Sequence, residues 1–599
     1  MAGGFAGAAT LGWVSDLGKS ENAPEENNLI GLVGDLLTDV LEGKDSDGRR
    51  DALLTLLGVD ESAILGAKIS GGTITVESAG DYAGGLLGRG DGTLVAASDD
   101  AHCSKLKIYS RADGLLSKPN TPRGNTISQL AMVKASGSHA AGVAGLMGTA
   151  SVGGVLDGTV GLGGYLPFEL SDVTVTGVAE GATVVAGDAY AGGAVAEATG
   201  GSCTNVHIKD IVSVRAGTRA GGFAGAMGPG NLANGGGLDL LGLGAIRITG
   251  LLSVGEGVNV TAENCTVAGH ANGFTVETTK DTKPNAGVPA ATAGGFVADN
   301  RSAQLSNCNV TGLHSVTSDN DNGAAGGFVG NSETGGLADV ADSASILALG
   351  SIADLLNAVP YLIPKYSNCN VTYAGDATVV ADEAGGFAGV FRSGVVEGMP
   401  ANDADDDQCQ WAVNGLKSVE GGSYAGGFAG LLTSGALAAA ADGGGGLSIL
   451  GGIKGLRIDV SDLIGLVDAY VAKVSYAGVN SPDGFTVRAS RIDALDTNSG
   501  AAGGFAGYAS GAQISNCDVN KIAHTAIEDP ADLEADAIDV YYDANTPWAI
   551  DGLRYAGGYA GRLDIGSTAS VGEGLGILGT AINLTDVLSA LNVMVSTVE

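Results

Sequence analysis

The sequence predicts an all-β solenoid, a right-handed parallel β-helix with coils of about 30 residues and amphipathic α-helical insertions. Three observations lead to this prediction: a glycine-rich cassette that recurs along the chain, a cysteine motif that follows it, and apolar inserts with a helical period. Glycine supplies 102 of 599 residues, proline 13, and 44% are hydrophobic, which excludes collagen and low-complexity disorder. Because this composition is uniform, we expect residues 1–599 to form a single continuous repeat region.

The cassette has the form Ala-Gly-Gly-aromatic-small-Gly. Its copies begin at Ala2, Ala83, Ala141, Ala191, Ala220, Ala293, Ala325, Ala384, Ala425, Ala502 and Ala556. The shortest spacings are 29 residues, from Gly192 to Gly221, and 32 residues, from Gly294 to Gly326. A strand-rich segment of this length cannot bury its apolar face alone, but stacked copies build a continuous core with strands about 4.8 Å apart.

The aromatic position of the cassette is expected to form a column inside the solenoid. Its members are Phe5, Phe223, Phe296, Phe328, Phe387, Phe428, Phe505 and Tyr559. Side chains alternate between the two faces of a strand, so the following alanines are expected on the opposite, outer face. These are Ala6, Ala224, Ala388, Ala429, Ala506 and Ala560. Such a flat face would let the helical inserts dock closely.

A motif of the type Ser-Asn-Cys-Asn-Val follows the cassettes. It predicts a cysteine ladder of Cys203, Cys265, Cys308, Cys369, Cys409 and Cys517, with Cys103 in a loosely similar context. An odd count without closely spaced pairs argues against disulfides and zinc, so we expect buried free thiols. The asparagines before cysteine are expected to stack their amides at a coil corner. They are Asn264, Asn307, Asn368 and Asn516.

The inserts between some cassettes carry apolar residues at helical spacing, as in Leu36, Leu37, Val40 and Leu41. We expect helical insertions near 28–57, 238–256, 337–363, 447–474 and 575–595. They lack the Lys/Arg-rich polar side that a membrane surface requires, which favours packing within the molecule over membrane binding.

The formal charge of −36 excludes nucleic-acid binding and attraction to anionic membranes. No signal peptide is recognisable, and the most apolar stretch, 346–363, is interrupted by Asp354 and Pro360. The chain begins on a cassette, and its last insert has no cysteine strand after it. We therefore expect a fragment whose targeting and attachment segments lie outside this sequence.

No catalytic or cofactor-binding pattern is visible in the sequence. The histidines, His102, His139, His207, His270, His314 and His524, show no common spacing with Ser or Asp, and no phosphate-binding loop occurs. Calcium candidates are Asp403, Asp405, Asp406 and Asp407, for which a solvated acidic loop is the alternative interpretation. We expect no catalytic residues and no cofactor, with calcium at this loop as the alternative.

The run AGGFVGNSETGGL at Ala325, followed by SNCNVTY at Ser367, resembles the GLUG-type repeats of large bacterial surface proteins and of some secreted proteases. The resemblance implies a cell-surface or secreted location and an adhesive or stalk-like role, with a host or cell-surface glycan or protein as partner. The leading hypothesis is a structural, adhesive rod without catalysis. The alternative is a carbohydrate-active β-helix enzyme, a polysaccharide lyase or glycoside hydrolase, in which three or more carboxylates and an arginine would converge on one face.

Overall fold

The computed structural model describes residues 2–9, 62–98, 123–156, 160–230, 259–279, 289–319, 321–335, 363–398, 410–434, 471–492, 496, 498–522, 550–564 and 597–598. Within these ranges the chain is all-β and contains no helix. The strands form one sheet of 33 strands and one of 11, both built from parallel pairs, and a separate two-stranded sheet. The prediction of an all-β fold with long parallel sheets is therefore confirmed.

The eleven-stranded sheet contains one strand from the second half of every cassette. These strands are Ala6–Ala9, Leu87–Asp91, Ala144–Gly148, Val195–Thr199, Ala224–Gly228, Val297–Arg301, Val329–Glu333, Ala388–Phe391, Ala429–Thr433, Ala506–Ser510 and Ala560–Asp564. Each pairs with the corresponding strand of the next cassette, as Ala224 does with Val297. The order of cassettes in the sequence is thus the order of strands in the sheet.

The first half of each cassette belongs to the larger sheet. Its short strands are Ala2–Gly3, Tyr82–Gly84, His139–Ala141, Tyr190–Gly192, Arg219–Gly221, Ala291–Gly294, Gly323–Gly326, Ala501–Gly503 and Tyr555–Gly557. In two cassettes this half is the end of a longer strand, Asn370–Gly385 or Ser418–Gly426. The pairing places the third cassette one residue earlier than predicted, because Ala140, not Ala141, pairs with Ala83. An alanine there replaces the first glycine and shifts the apparent start.

The remaining strands of the larger sheet connect successive cassettes. They are Ala63–Leu65, Lys68–Ile69, Ile74–Ser78, Leu94–Ala96, Asn125–Ala135, Phe168–Gly177, Ala182–Ala186, Gly201–Ala216, Val260–Glu263, Thr266–Gly269, Phe274–Thr278, Gln304–Ser306, Asn309–Thr317, Lys365–Ser367, Gly394–Glu397, Gln410–Asn414, Ala472–Ser475, Ala477–Ala489, Ala512–Ser515, Val519–Ile522, Ile550–Gly552 and Thr597–Val598. Strands Ala150–Leu156 and Val160–Leu166 form an antiparallel hairpin that the sequence did not predict.

The predicted helical inserts fall largely outside the described ranges. The segments near 28–57, 238–256 and 575–595 lie wholly outside them, and 337–363 does so except for its last residue, which is a bend. The segment 447–474 overlaps the strand Ala472–Ser475, so its end is extended and not helical. The reason is tertiary: this strand pairs in parallel with Gly394–Glu397 and Ala512–Ser515. Within the described residues no helix is long and apolar enough to cross a membrane.

The core contains a column of phenylalanine rings from successive cassettes. Consecutive rings from Phe223 to Tyr559 lie 4.6–5.0 Å apart, with their planes within 5° of parallel. In the cassettes before Phe223 the same position holds Leu86, Val143 and Ala194. The backbone amide of each donates to the carbonyl oxygen of the equivalent residue in the next cassette, and Ala194 donates in this way to Phe223. Phe5 is 60% exposed, which contradicts its predicted burial. It lies in the first described strand pair, for which the structure describes a neighbouring repeat on one side.

The prediction that the alanines after the aromatic position form an outer face is also wrong. Ala224, Ala388, Ala429 and Ala506 are fully buried in the same core cluster as the phenylalanines. The chain bends at the second glycine and the aromatic residue of the cassette, for example at Gly222 and Phe223. This bend interrupts the period-two alternation, so the aromatic residue and the alanine after it both face the core.

The second glycine of the cassette is required by close packing between repeats. A Cβ on Gly386 would lie 2.0 Å from the carbonyl oxygen of Gly427 in the next cassette. The equivalent Cβ on Gly222 would lie 1.9 Å from the Gly295 oxygen. No side chain can occupy this space, because the strand pairs cannot separate without losing their hydrogen bonds.

Candidate functional site

Two columns of side chains face each other beside the cassettes, and we name them together the polar seam. The first column is the residue before each cassette: Tyr82, His139, Tyr190, Arg219, Thr292, Ala324, Glu383, Tyr424, Ala501 and Tyr555. The second column comes from the eleven-stranded sheet: Arg89, Leu146, Glu197, Ala226, Asp299, Asn331, Val390, Leu431, Tyr508 and Arg562. Because the strands of successive cassettes pair in parallel and in register, the residues of each column lie one above the other along the stack.

At the N-terminal part of the seam, His139 forms a hydrogen-bonded chain. Its Nδ1 lies 2.7 Å from Ser138 Oγ and its Nε2 lies 2.8 Å from Glu197 Oε2. The imidazole is stacked between the rings of Tyr82 and Tyr190, at centroid distances of 4.8 and 4.9 Å. Burial, together with the Glu197 charge, raises the pKa of Tyr190. The orientation of His139 is therefore held by hydrogen bonds in the plane of the imidazole and by the stacked tyrosine rings above and below that plane.

The middle of the seam is a buried charge network centred on Asp299. Its carboxylate lies 3.4 Å from Arg219 Nε and 3.3 Å from Arg301 Nη2, and Asn331 Nδ2 donates to it at 3.0 Å. Burial acts to raise the pKa of Asp299, but Arg301 and Arg219 outweigh it and the pKa is lowered. Glu333 pairs with Arg301 at 3.3 Å, and its pKa is raised by burial and by the Asp299 charge.

A second charge cluster surrounds Arg491. Its guanidinium lies 2.5 Å from Asp382 Oδ2 and 2.9 Å from Asp321 Oδ1. The backbone amide of Ser423 also donates to Asp382, at 2.8 Å. Burial raises the pKa of Asp382 to about 6, and burial together with the Asp382 charge raises the pKa of the neighbouring Glu383 to about 8. Glu383 is therefore largely protonated at neutral pH.

The C-terminal part of the seam is aromatic. The rings of Tyr424 and Tyr508 lie 5.7 Å apart. Arg562 lies over the Tyr555 ring at 4.9 Å and donates to its hydroxyl at 2.8 Å. Arg562 also pairs with Asp564 at 2.7 Å. Tyr424 is buried, whereas Tyr508, Tyr555 and Arg562 are half-buried and present part of their surface to solvent.

The predicted cysteine ladder consists of buried free thiols wherever the structure describes it. Cys203, Cys265, Cys308, Cys369 and Cys517 are each at most 7% exposed, whereas Cys409 lies outside the described residues. Burial raises the pKa of Cys203, Cys265 and Cys308 well above the usual value. These thiols are therefore weak nucleophiles and act as core residues.

The asparagines before the cysteines all adopt left-handed backbone conformation. The φ angles of Asn264, Asn307, Asn368 and Asn516 are 54°, 51°, 52° and 51°. Asn368 Nδ2 donates to Asn307 Oδ1 at 2.7 Å, so two amides of the column are directly linked. Asparagine is the non-glycine residue that tolerates this conformation best, which gives these positions a structural role.

The calcium candidates Asp403, Asp405, Asp406 and Asp407 lie outside the described residues. Among the residues that the structure describes, no group of three or more His, Cys, Asp or Glu side chains is arranged to hold a metal ion.

The sequence did not lead to a prediction of the polar seam. The feature of the sequence that could have revealed it is a recurring polar or aromatic residue directly before the cassette. This residue is Tyr82, His139, Tyr190, Arg219, Glu383, Tyr424 or Tyr555.

No family model matches the chain, and no curated protein matches it. The crystal structure of a candidate immunoglobulin A1 protease from Bacteroides ovatus is similar at 15% identity and a TM-score of 0.25. The match covers 56% of this chain and 66% of that one, slightly less than two thirds of its length. A TM-score this low establishes no common fold.

Proposed function

We propose that this chain is a right-handed β-solenoid of the GLUG-repeat type, a structural and adhesive module of a bacterial surface or secreted protein that presents a binding surface to a host or cell-surface glycan or protein. The observation that carries this proposal is the eleven-stranded parallel sheet, in which every cassette pairs with the next in sequence order. A stack of this kind gives a rigid surface on which each repeat places a side chain at the same position.

The dimensions of the stack indicate how such a module works. Eleven strands give ten steps of about 4.8 Å, a length of about 48 Å. A compact domain of 599 residues has a radius of gyration of about 25 Å, which corresponds to a sphere about 65 Å across, so the stack is no longer than a globular protein of this size. The proposed role therefore depends on the surface of this segment more than on its reach.

The aromatic end of the polar seam is the part of that surface we propose for binding. Tyr508, Tyr555 and Arg562 combine hydroxyls, ring edges and a cation, which are groups that contact sugars and protein surfaces alike. The test is a glycan array, followed by a panel of immobilised host-surface proteins, with the purified chain. We expect saturable binding that falls at least about tenfold in Arg562→Ala.

The matched control is Arg488→Ala, which removes an exposed arginine on another strand of the stack. It should leave binding unchanged. If no glycan or protein on either panel binds, or if the two variants weaken binding equally, the proposal of a binding surface at this end is wrong. Melting curves of both variants establish that the fold is intact.

A carbohydrate-active enzyme is the second candidate, favoured by one specific observation. Asp299 and Glu333 share Arg301, and their pKa values are shifted in opposite directions, downward for Asp299 and upward for Glu333. Glycoside hydrolysis uses such a pair, with one ionised and one protonated carboxyl group. The test is release of reducing ends or unsaturated products from a panel of polysaccharides. Activity lost in Glu333→Gln supports the enzyme, and absence of any release contradicts it.

A further inference from the structure

We infer that Ser138, His139 and Glu197 form a nucleophilic relay in which Ser138 is acylated by esters. The three residues come from two different repeats, since 58 residues separate His139 from Glu197. A serine, a base and an acidic residue that orients the base, each within hydrogen-bond distance of the next, are the parts that acyl transfer requires. This inference is independent of the binding role proposed above.

The contacts fix the direction of proton transfer. A carboxylate only accepts hydrogen bonds, so Glu197 holds the proton of His139 on Nε2, at 2.8 Å. Nδ1 is then the acceptor, and Ser138 Oγ donates to it at 2.7 Å. The roles of the two nitrogens are exchanged relative to the triad of chymotrypsin-like proteases, but the relation between nucleophile, base and carboxylate is the same.

The surroundings hold this geometry and leave the nucleophile accessible. Tyr82 and Tyr190 stack on both faces of the imidazole and prevent it from tilting. Ser138 is anchored through its carbonyl, which accepts from the Tyr190 amide at 2.6 Å. His139 is buried, whereas Ser138 is only half-buried, on the bend before its strand. The base is thus shielded while the hydroxyl can meet a substrate from solvent.

The reaction follows from these positions. Ser138 Oγ bonds to the ester carbonyl carbon while His139 Nδ1 takes the hydroxyl proton. The bond from that carbon to the alkoxy oxygen then breaks, and the leaving alkoxide takes the proton from the imidazolium. Water, deprotonated by His139, then attacks the carbonyl carbon of the acyl-serine. The bond from that carbon to Ser138 Oγ breaks and Oγ recovers the proton from the imidazolium, so ester and water give carboxylic acid and alcohol.

The backbone near Ser138 limits the rate. The amides of Gly137 and His139 already donate to the carbonyl oxygens of Gly80 and Asp81, at 3.1 and 2.6 Å. Loss of one oxyanion donor costs about 10²- to 10³-fold in rate in hydrolases. Because this loss slows acylation and deacylation alike, we expect slow turnover and choose covalent labelling over steady-state activity as the readout. With an activated ester the good leaving group makes deacylation the slower step, so the acyl-enzyme accumulates.

The experiment treats the full chain with a fluorophosphonate probe and locates the label by peptide mass spectrometry. p-Nitrophenyl acetate provides a second readout, a burst of about one equivalent of p-nitrophenol per chain. We expect the label on Ser138, and no label or burst in Ser138→Ala. Glu197 is a positioning residue. In Glu197→Gln the amide can donate to Nε2 and invert the tautomer, so labelling should fall by about 10²- to 10⁴-fold, whereas Glu197→Asp should retain part of it.

The matched control is Ser136→Ala, an exposed serine on the same bend, which should label and burst like the unmodified chain. Circular dichroism melting of all four variants reports on folding. The inference is overturned if Ser138 takes no label, if Ser138→Ala labels as well as the unmodified chain, or if Glu197→Gln is well folded and labels at the unmodified rate.

Discussion

The ring of Phe387 lies 4.9 Å from the ring of Phe328, and the two planes are 3° from parallel. This distance equals one step between paired parallel strands, because Val329 pairs with Ala388 in the adjoining sheet. Each ring fills the space between the rings of the neighbouring repeats. The phenylalanine column thus links the repeats along the stack and is the first place to test where the stability of the fold resides.

Phe328→Ala is expected to lower the free energy of unfolding by about 3–5 kcal/mol, because it leaves a cavity between two stacked rings. The side chain of Phe328 is fully buried. Chemical denaturation measures the effect. The control is Phe5→Ala at the same cassette position, where 60% exposure predicts a loss below about 0.5 kcal/mol. Equal losses in the two variants would show that the column does not stabilise the fold.

Gly386→Ala is expected to destabilise the protein by about 3 kcal/mol or more, because the new Cβ would overlap the Gly427 carbonyl and force two repeats apart. Gly558 occupies the same position in the last cassette, but a Cβ there would have no other atom within 4 Å. Gly558→Ala should therefore be neutral. Melting temperatures compare the two, and similar values for both would contradict the close-packing explanation of the cassette.

Asp299→Ala is expected to cost about 3–5 kcal/mol, because it leaves the largely buried guanidinium of Arg219 without its carboxylate. The comparison is Glu277→Ala, which breaks the exposed pair of Glu277 with Arg215 and should cost less than about 1 kcal/mol. Denaturation at low and high salt distinguishes them further, since screening affects only the exposed pair strongly. A loss of under about 1 kcal/mol in both would mean that the seam network is dispensable for folding.

The stability of the protein is expected to fall as the pH rises towards about 8. The folded-state pKa of Glu383 is raised from 4.5 to about 8, so folding favours the protonated carboxyl. Its contribution is complete below the unfolded pKa and is lost as the pH rises through the folded one. Asp382, with a pKa of about 6, titrates earlier, so a scan from about 6.5 to 9 isolates Glu383.

The measurement is the free energy of unfolding at each pH in that scan. Glu383→Gln should remove the decline, because the amide has no ionised form. The exposed Glu420→Gln should keep it. A decline of the same size in Glu383→Gln would assign the pH dependence to another group.

The repeat itself determined much of the fold. The cassette, the cysteine motif and their spacing predicted parallel pairing between copies, because a segment of about 30 residues buries its apolar face only by stacking. The same repetition predicted that Phe223, Phe296 and Phe328 would be equivalent, and the structure stacks their rings. It did not predict the bend at Gly222 and Phe223, so it placed Ala224 on the wrong face.

The polar seam was decided only by the tertiary structure. Ser138 and His139 are neighbours in sequence, but Glu197 follows 58 residues later, and Arg219 is 80 residues from Asp299. No local pattern joins them, because the distance between two repeats in sequence varies with the connection, whereas their separation in space is set by the strand pairing. The sequence alone therefore determined which residues repeat, and it placed the phenylalanine column from Phe223 onward in the core. Strand register decided which unlike side chains meet, and with them the chemistry of the surface.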